Sequence, residues 1–465
     1  MSRLIVISNR VSAPTPQQPS AQGGLAVALT AALREADGIW FGWSGETGET
    51  GELKFETFDG VTSATIDLPE QDVEEYYDGY ANRTLWPLFH YRLGLTEFER
   101  DFQGGYERVN RLFAEVISPH IEPDDLIWVH DYHMIPLGWL LRQQGITNRL
   151  GFFLHIPWPP TDLLHALPEH RRLVEALFAY DLVGFHTREW LETFHDYVVR
   201  EMGGTIEDDD RVTVGGRTIR AIACPIGIDA REFIASAQSN EAVTTQNRVV
   251  ESLSGRRLIV GVDRLDYSKG LEERFNGYLR FLDTRPDAHA QVTMLQIAPP
   301  SRASVQSYQD IRATLDALSG RINGAHAEID WVPLRYVNRG LPRGVLAGVY
   351  RAAKIGLVTP LRDGMNLVAK EFVAAQDPED PGVLILSRFA GAAAQLTGAL
   401  LINPYSPDEM ADAIEHALNM PRDERIARWR PMFDNVVDED VIWWRKRFTE
   451  VLASTERVAE VALEV

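Results

Sequence analysis

The chain has 465 residues, with 46 Lys and Arg against 67 Asp and Glu, and a formal net charge of −21. That surplus of negative charge excludes a general nucleic-acid binder and a polybasic membrane-surface protein, both of which need clustered cations. With 45% hydrophobic and 24% charged residues it has the composition of a folded globular protein, and its length suits two large domains or three smaller ones.

The opening MSRLIVISNR lacks the basic, apolar and small-residue succession of a secretory signal, and no apolar run approaches the ~20 residues that span a bilayer. A cytoplasmic protein is expected. From there, short apolar runs alternate with longer amphipathic stretches. Strands are predicted at 4–8, 39–43, 126–130, 150–155, 182–186, 258–263, 292–298, 355–359 and 383–387. Most are continuously apolar, as strands buried on both faces of a parallel sheet must be. Helical patterns fall between them, for example at 136–144, 189–202 and 271–283. The repeating order predicts an α/β protein of two Rossmann-like, doubly wound domains facing across a cleft, where a ligand would bind. The polar stretch from Pro225 to about Gly255 separates them. The domains are read as 1–230 and 231–439, with a helical segment 440–465, carrying Trp443 and Trp444, packing back on the first. The lone Cys224, set in AIACPIGI, is expected to be a buried structural thiol.

The chemistry-bearing residues gather at strand ends. After LIVIS come Asn9 and Arg10, then Gly23 and Gly24 before a helical pattern, where free backbone N–H groups would suit an anion. The alternative there is an ordinary glycine turn. Neither a dinucleotide-binding nor a P-loop glycine pattern occurs. The run from Glu74 to Pro87 is rich in Tyr and Trp, and suits sugar stacking or lid packing equally. His130-Asp131-Tyr132-His133 follows a strand and would face a ligand, make structural polar contacts, or bind metal, although no further ligand cluster lies nearby. His155 is placed in the same way. Arg264 and Lys269 follow the strand LIVGV and read as cations for an anionic ligand, unless Asp263 or Asp266 pairs them internally. Arg302 is a further strand-end cation. Around Asp363, Gly364 permits a turn and Asn366 would cap a helix whose N–H groups point at a phosphate, with Glu371 in reach of ribose hydroxyls. Asp208-Asp209-Asp210 has the spacing of a metal-binding pair but reads as a solvated loop.

Taken together, SNR at 8–10, GGLAVAL at 23–29, WFGWSGETG at 40–48, LWPLFHYR at 85–92, WVHDYHMIPL at 128–137, GFFLHIPWP at 151–159, VDRLDYSKGL at 262–271, QIAPPSR at 296–302 and TPLRDGMNLVAKEFVAAQ at 359–376 closely resemble the α,α-trehalose-phosphate synthases. The resemblance implies a GT-B fold and transfer of glucose from UDP-glucose to glucose 6-phosphate, with retention at the donor carbon, closure of the domains over the substrates and no essential metal or other cofactor. It implies an acceptor site of Arg10, Tyr77, Trp86, Asp131 and Arg302, with Arg10 and Arg302 on the 6-phosphate. It implies a donor site of Gly23, Gly24, Arg264, Lys269, Leu341, Asp363 and the run Leu367, Val368, Ala369, Lys370 and Glu371. His155 would touch the donor glucose, and Arg264, Lys269, His155 and Asp363 would carry the transfer. The partners implied are these two small molecules, with no nucleic acid or membrane, and a homo-oligomer is allowed. Two departures are Trp158, where the family commonly has Phe, and Ala394-Gln395 in place of a polar pair. The rival readings are a catalytically silent sugar-phosphate sensor and a GT-B enzyme that uses ADP- or GDP-glucose.

Overall fold

The computed structural model describes residues 3–11, 29–30, 33–34, 38–49, 52–207, 210–302 and 305–456. The chain divides into one unit of residues 1–226 and 441–465 and a second of residues 227–440.

The first unit is built on a ten-stranded sheet. Its strands are β1 (Leu4–Arg10), β2 (Ile39–Thr47), β3 (Lys54–Phe58), β4 (Val61–Leu68), β5 (Leu126–His130), β6 (Arg149–Phe153), β7 (Leu182–Phe185), β8 (Thr205–Ile206), β9 (Arg211–Val214) and β10 (Arg217–Ala223). They lie in the order β3-β4-β2-β1-β5-β6-β7-β10-β9-β8. The seven strands from β4 to β10 pair parallel, and only the outer pairs β3–β4, β10–β9 and β9–β8 are antiparallel. The core strands are the continuously apolar runs: Leu4 to Ile7 and Ile127 to Val129 are buried throughout. β4, next to the edge strand β3, instead alternates buried and part-exposed residues, so it carries no such run. From β1 the chain winds outward to β4 and then returns to place β5 against the other side of β1. This reversal opens a crevice at the carboxyl ends of β1 and β5, the usual ligand position in such sheets.

The closing helix Val441–Ala453 belongs to this unit. Phe448 stacks on Trp128 of β5 at 4.6 Å, and Trp444 meets Phe153 of β6 edge-on at 5.1 Å. Gly151 and Gly184 make room for it, because a Cβ at either would press into the Phe448 ring. Cys224 is buried, with its Sγ 3.7 Å from the Trp444 carbonyl. Trp158 is fully buried among Phe89, Phe185 and Phe194.

The second unit holds an entirely parallel six-stranded sheet, β11 (Arg257–Val262), β12 (Val292–Ile297), β13 (Leu334–Val337), β14 (Ile355–Val358), β15 (Val383–Ser387) and β16 (Leu400–Ile402). Its order, β13-β12-β11-β14-β15-β16, reverses between β11 and β14. The loops carrying Arg264, Lys269 and Asp363 leave from that reversal. Among the described residues, no helix is long and apolar enough to cross a membrane.

Candidate active site

In the first unit, β1 delivers Asn9 and Arg10 to the crevice. Asn9 is buried and accepts a 2.7 Å hydrogen bond from the Tyr76 hydroxyl. Ser8 accepts from the Trp40 indole N–H at 2.8 Å and donates to the Arg10 carbonyl at 2.9 Å, which fixes the strand end. The Arg10 guanidinium lies 5.2 Å over the Trp43 ring. It passes against Gly45, whose φ of +94° and missing side chain leave it that path. Trp43 meets Tyr77 edge-on at 5.4 Å, and Tyr77 stacks on His133 at 6.1 Å. An exposed cation flanked by aromatic faces is suited to a phosphorylated sugar.

Tyr76 and Tyr77 sit on an unusual element. Residues Val73–Leu85 form 13 residues of π-helix, continuing into a short turn, Trp86–Phe89. The i to i−5 pattern is rare and concentrates at functional sites. It is pinned from inside, where the buried Tyr132 hydroxyl donates to Asn82 at 3.0 Å and Tyr106 donates to the Tyr132 carbonyl at 2.7 Å. Trp86 is buried against His90, at 4.1 Å, and Tyr132, at 5.7 Å.

At the end of β5, Asp131 has φ +74°, a conformation that costs a non-glycine residue about 1–3 kcal/mol and is retained where the surroundings over-determine it. Its carbonyl accepts from the Met134 N–H at 3.0 Å, and its carboxylate accepts from the His155 N–H at 3.2 Å. His155 in turn approaches His130, with His155 Nε2 3.0 Å from His130 Nδ1. Burial pushes the His155 imidazole down to about 3, and burial followed by the neighbouring His155 holds His130 well below the usual imidazole range. Both rings are therefore neutral at pH 7.

The second unit assembles the cationic residues. Arg274, fully buried on the helix Leu271–Thr284, donates to Asp263 at 2.6 Å, Thr359 at 2.9 Å and Gln296 at 2.9 Å. It thereby ties the ends of β11, β12 and β14 together and occupies Asp263. Gly270, at φ +61°, comes so close to the Thr359 carbonyl that a Cβ would collide with it. Lys269 is paired across the loops with Asp363, at 2.6 Å, with each side chain 12% exposed. Asp363 also accepts from Asn366 at 3.1 Å. Asp266 receives the Ser268 N–H at 2.9 Å, the Tyr308 hydroxyl at 3.3 Å and the Arg302 guanidinium at 3.6 Å, and Arg302 bonds to Tyr308 as well. Arg264 is exposed. The internal partner of Lys269 is thus Asp363, 94 residues away, rather than Asp263 or Asp266.

Asn366, at φ +87°, caps the helix Leu367–Ala375, accepting from the Ala369 N–H at 3.1 Å. Leu367 and Val368 are part-exposed at its start, while the Lys370 side chain is fully buried and its ammonium is pushed down to about 7 by desolvation. Any part of Lys370 in ligand binding is therefore a main-chain one. Glu371, raised to about 7 chiefly by burial, accepts from the Tyr350 hydroxyl at 3.5 Å. Leu341 is half-buried just before the helix Arg343–Ala352. Gln395 and Asn435 both donate to Glu439, so the polar group at 395 turns toward the last helix of this unit.

The sequence-predicted residues therefore fall into two sets, one on each unit, with Arg10 and Asp131 at the reversal of the first sheet and Arg264, Lys269 and Asp363 at that of the second. Arg10, Tyr77, Trp86, Asp131 and His155 are carried by the first unit, and Arg264, Lys269, Arg302, Leu341, Asp363 and the 367–371 run by the second. Gly23, Gly24, Asp208 and Asp209 lie outside the described residues. Asp210 pairs with Arg188 at 3.0 Å. Among the described residues, no group of three or more His, Cys, Asp or Glu side chains is arranged to hold a metal ion. Sequence reasoning singled out Asn9 and the aromatic run that holds Tyr76, but missed Tyr308 and Arg274. The last was detectable as a charge on the apolar face of a helix that also carries Leu271, Phe275 and Tyr278.

Residues 3–454 match glycosyltransferase family 20. Trehalose-6-phosphate synthase of Sinorhizobium fredii is 49% identical over 462 residues, covering 98% of this chain and all of that protein. The crystal structure of an α,α-trehalose-phosphate synthase (UDP-forming) from Burkholderia xenovorans in complex with glucose 6-phosphate matches with a TM-score of 0.93 at 49% identity, over 97% of this chain and 100% of that one. A trehalose-6-phosphate structure from E. coli, bound with UDP-2-fluoro glucose, matches with a TM-score of 0.94 at 45% identity, over 98% of this chain and 100% of that one. With two doubly wound units and these neighbours, the architecture is GT-B. The chain belongs to glycosyltransferase family 20.

Proposed function

We propose that this chain transfers glucose from UDP-glucose to glucose 6-phosphate, yielding α,α-trehalose 6-phosphate and UDP. The observation that carries the reading is the two sets of site residues, gathered at the strand ends of each sheet, in a chain about half identical to synthases of that name over their whole length. A silent sensor would be expected to lose Arg264, Lys269, Asp363 or Glu371 first, and all four are present.

In this reading the second unit binds the donor. Glu371 accepts hydrogen bonds from the ribose hydroxyls, and backbone near Leu341 borders the base. The start of the Asn366-capped helix and Arg264 receive the diphosphate, with Lys269 held at Asp363. Arg10 and Arg302 bind the acceptor 6-phosphate, Tyr77, Trp86 and Asp131 orient its sugar, and His155 touches the donor glucose. The bond between the donor C1 and the β-phosphate oxygen breaks as the acceptor's anomeric oxygen bonds to C1 on the same face. The acceptor hydroxyl proton passes to the departing phosphate oxygen, so no protein carboxylate needs to act as nucleophile. Charge growing on the diphosphate is met by fixed cations and helix N–H groups, the interaction that lowers such barriers most. The reading includes no metal, no other cofactor and, since both substrates are charged and membrane-impermeant, a cytoplasmic setting.

The test is nucleoside diphosphate release from UDP-, ADP- and GDP-glucose with glucose 6-phosphate, with and without chelator. The reading expects release from UDP-glucose, dependent on glucose 6-phosphate and indifferent to chelator. No release from any donor would favour the sensor, and preference for ADP- or GDP-glucose would move the donor assignment.

A further inference from the structure

β5 and β6 run side by side in register, with His130 opposite Phe153, and this brings the histidine ending β5 against the one that follows β6. The rings are stacked with centroids 5.3 Å apart and His130 Nδ1 3.0 Å from His155 Nε2. Two ring nitrogens at hydrogen-bonding distance hold a single proton between them, one donating and one accepting. Because burial keeps both rings neutral, each carries one N–H, and only two arrangements exist. If His155 donated from Nε2, His130 would bear its own proton on Nε2. That atom is buried without a hydrogen-bond partner, in a pocket walled by Trp128 and Trp444. If His130 donates from Nδ1, the same atom is a bare lone pair. Buried N–H groups without an acceptor are rarer in native structures than acceptors that are under-satisfied, which favours the second arrangement.

We infer that His130 is a positioning residue whose Nδ1–H donates to His155 Nε2 and holds His155 in the Nδ1-protonated tautomer. His155, the part-exposed member of the pair, then has its Nδ1–H left to donate to a sugar oxygen. The tautomer of a histidine is set by the hydrogen bond that its other nitrogen makes. The identity of that oxygen rests on the reading above, in which His155 touches the donor glucose; the tautomer does not.

The experiment is two-bond 1H–15N correlation spectroscopy of the full chain labelled with 15N-histidine, with the His155 signals assigned by their loss in His155→Ala. Wild type is expected to show His155 protonated on Nδ1 and bare on Nε2. His130→Phe keeps a ring of similar size but offers no donor, so His155 should shift toward the Nε2–H form and kcat/KM for UDP-glucose should fall about tenfold or more, the scale for losing a partner that orients a functional imidazole. His130→Asn, which places an amide N–H near the position of Nδ1, should restore both. A wild-type His155 protonated on Nε2, or a tautomer unmoved in His130→Phe, overturns the inference. Full activity in His155→Ala would instead defeat the donor-contact reading, while the wild-type spectrum still decides the tautomer on its own.

Discussion

Arg264 and Lys269 look alike in sequence, but their surroundings predict different consequences of removal. Arg264 is exposed, so Arg264→Ala should cut kcat by at least ~100-fold, the scale for losing a charge donor in the transition state, and lower the melting temperature less than Lys269→Ala does. Lys269 neutralises the buried Asp363 at 2.6 Å. Lys269→Ala should cost comparable turnover and also about 3 kcal/mol of stability, because it strands a carboxylate out of water. Denaturant titration beside steady-state rates separates the two, and equal stability in both variants would contradict the pairing. Glu371 supplies a pH signature. Its carboxyl is raised from 4.5 to about 7, so between those values the folded chain holds a proton that the unfolded chain has lost. Its contribution to stability is thus complete below pH 4.5 and fades as pH climbs to 7. Donor binding runs the other way, since the ionised form accepts ribose hydroxyls best. KM for UDP-glucose should fall as pH rises through about 7, and Glu371→Gln should flatten that profile.

At the scale of elements, the helix Leu367–Ala375 depends on its cap. Asn366 supplies both a side-chain acceptor for the Ala369 N–H and a residue type that tolerates φ +87°. Asn366→Ala removes both, and should cost about 1–2 kcal/mol in thermal unfolding and raise KM for UDP-glucose more than it lowers kcat. Asn366→Gly should lose the cap alone and fall between. This cap was legible in the sequence because its parts are adjacent: a turn glycine, an Asn and an apolar helical run. The parallel strands were legible for a similar reason, since a strand buried on both faces must be apolar throughout. β4 was missed because its exposed face breaks the run, and β13 and β16 because four and three residues carry no periodicity to read. The π-helix Val73–Leu85 was invisible as such: its abundance of Tyr and Trp stood out, but the wider winding has no compositional mark. Partners distant in sequence, such as Lys269 with Asp363 and Arg274 with Asp263 and Thr359, follow only from the topology that brings β11 and β14 together.

At the scale of the whole molecule, the charge of −21 describes the bulk surface and not the site. Nucleic acid is repelled overall, while Arg10, Arg264, Lys269 and Arg302 stand at strand ends where two small phosphorylated sugars would need them. Part of that positive charge is already matched internally, Lys269 by Asp363 and Arg302 by Asp266, so the fold sets their positions before any ligand arrives. The chain's return through Val441–Ala453 completes the first unit's core by covering Trp128 and Phe153. Trp444→Ala should therefore cost about 3–5 kcal/mol by denaturant titration, with the loss located in the first unit by hydrogen exchange. An unchanged midpoint would contradict that packing. Glucosyl transfer with retention from UDP-glucose to glucose 6-phosphate can be read from proton NMR of the purified product. The expected product is a 1,1-linked disaccharide phosphate with both anomeric protons in the α configuration. A β-configured anomeric centre, or free glucose and UDP with no disaccharide, would contradict it.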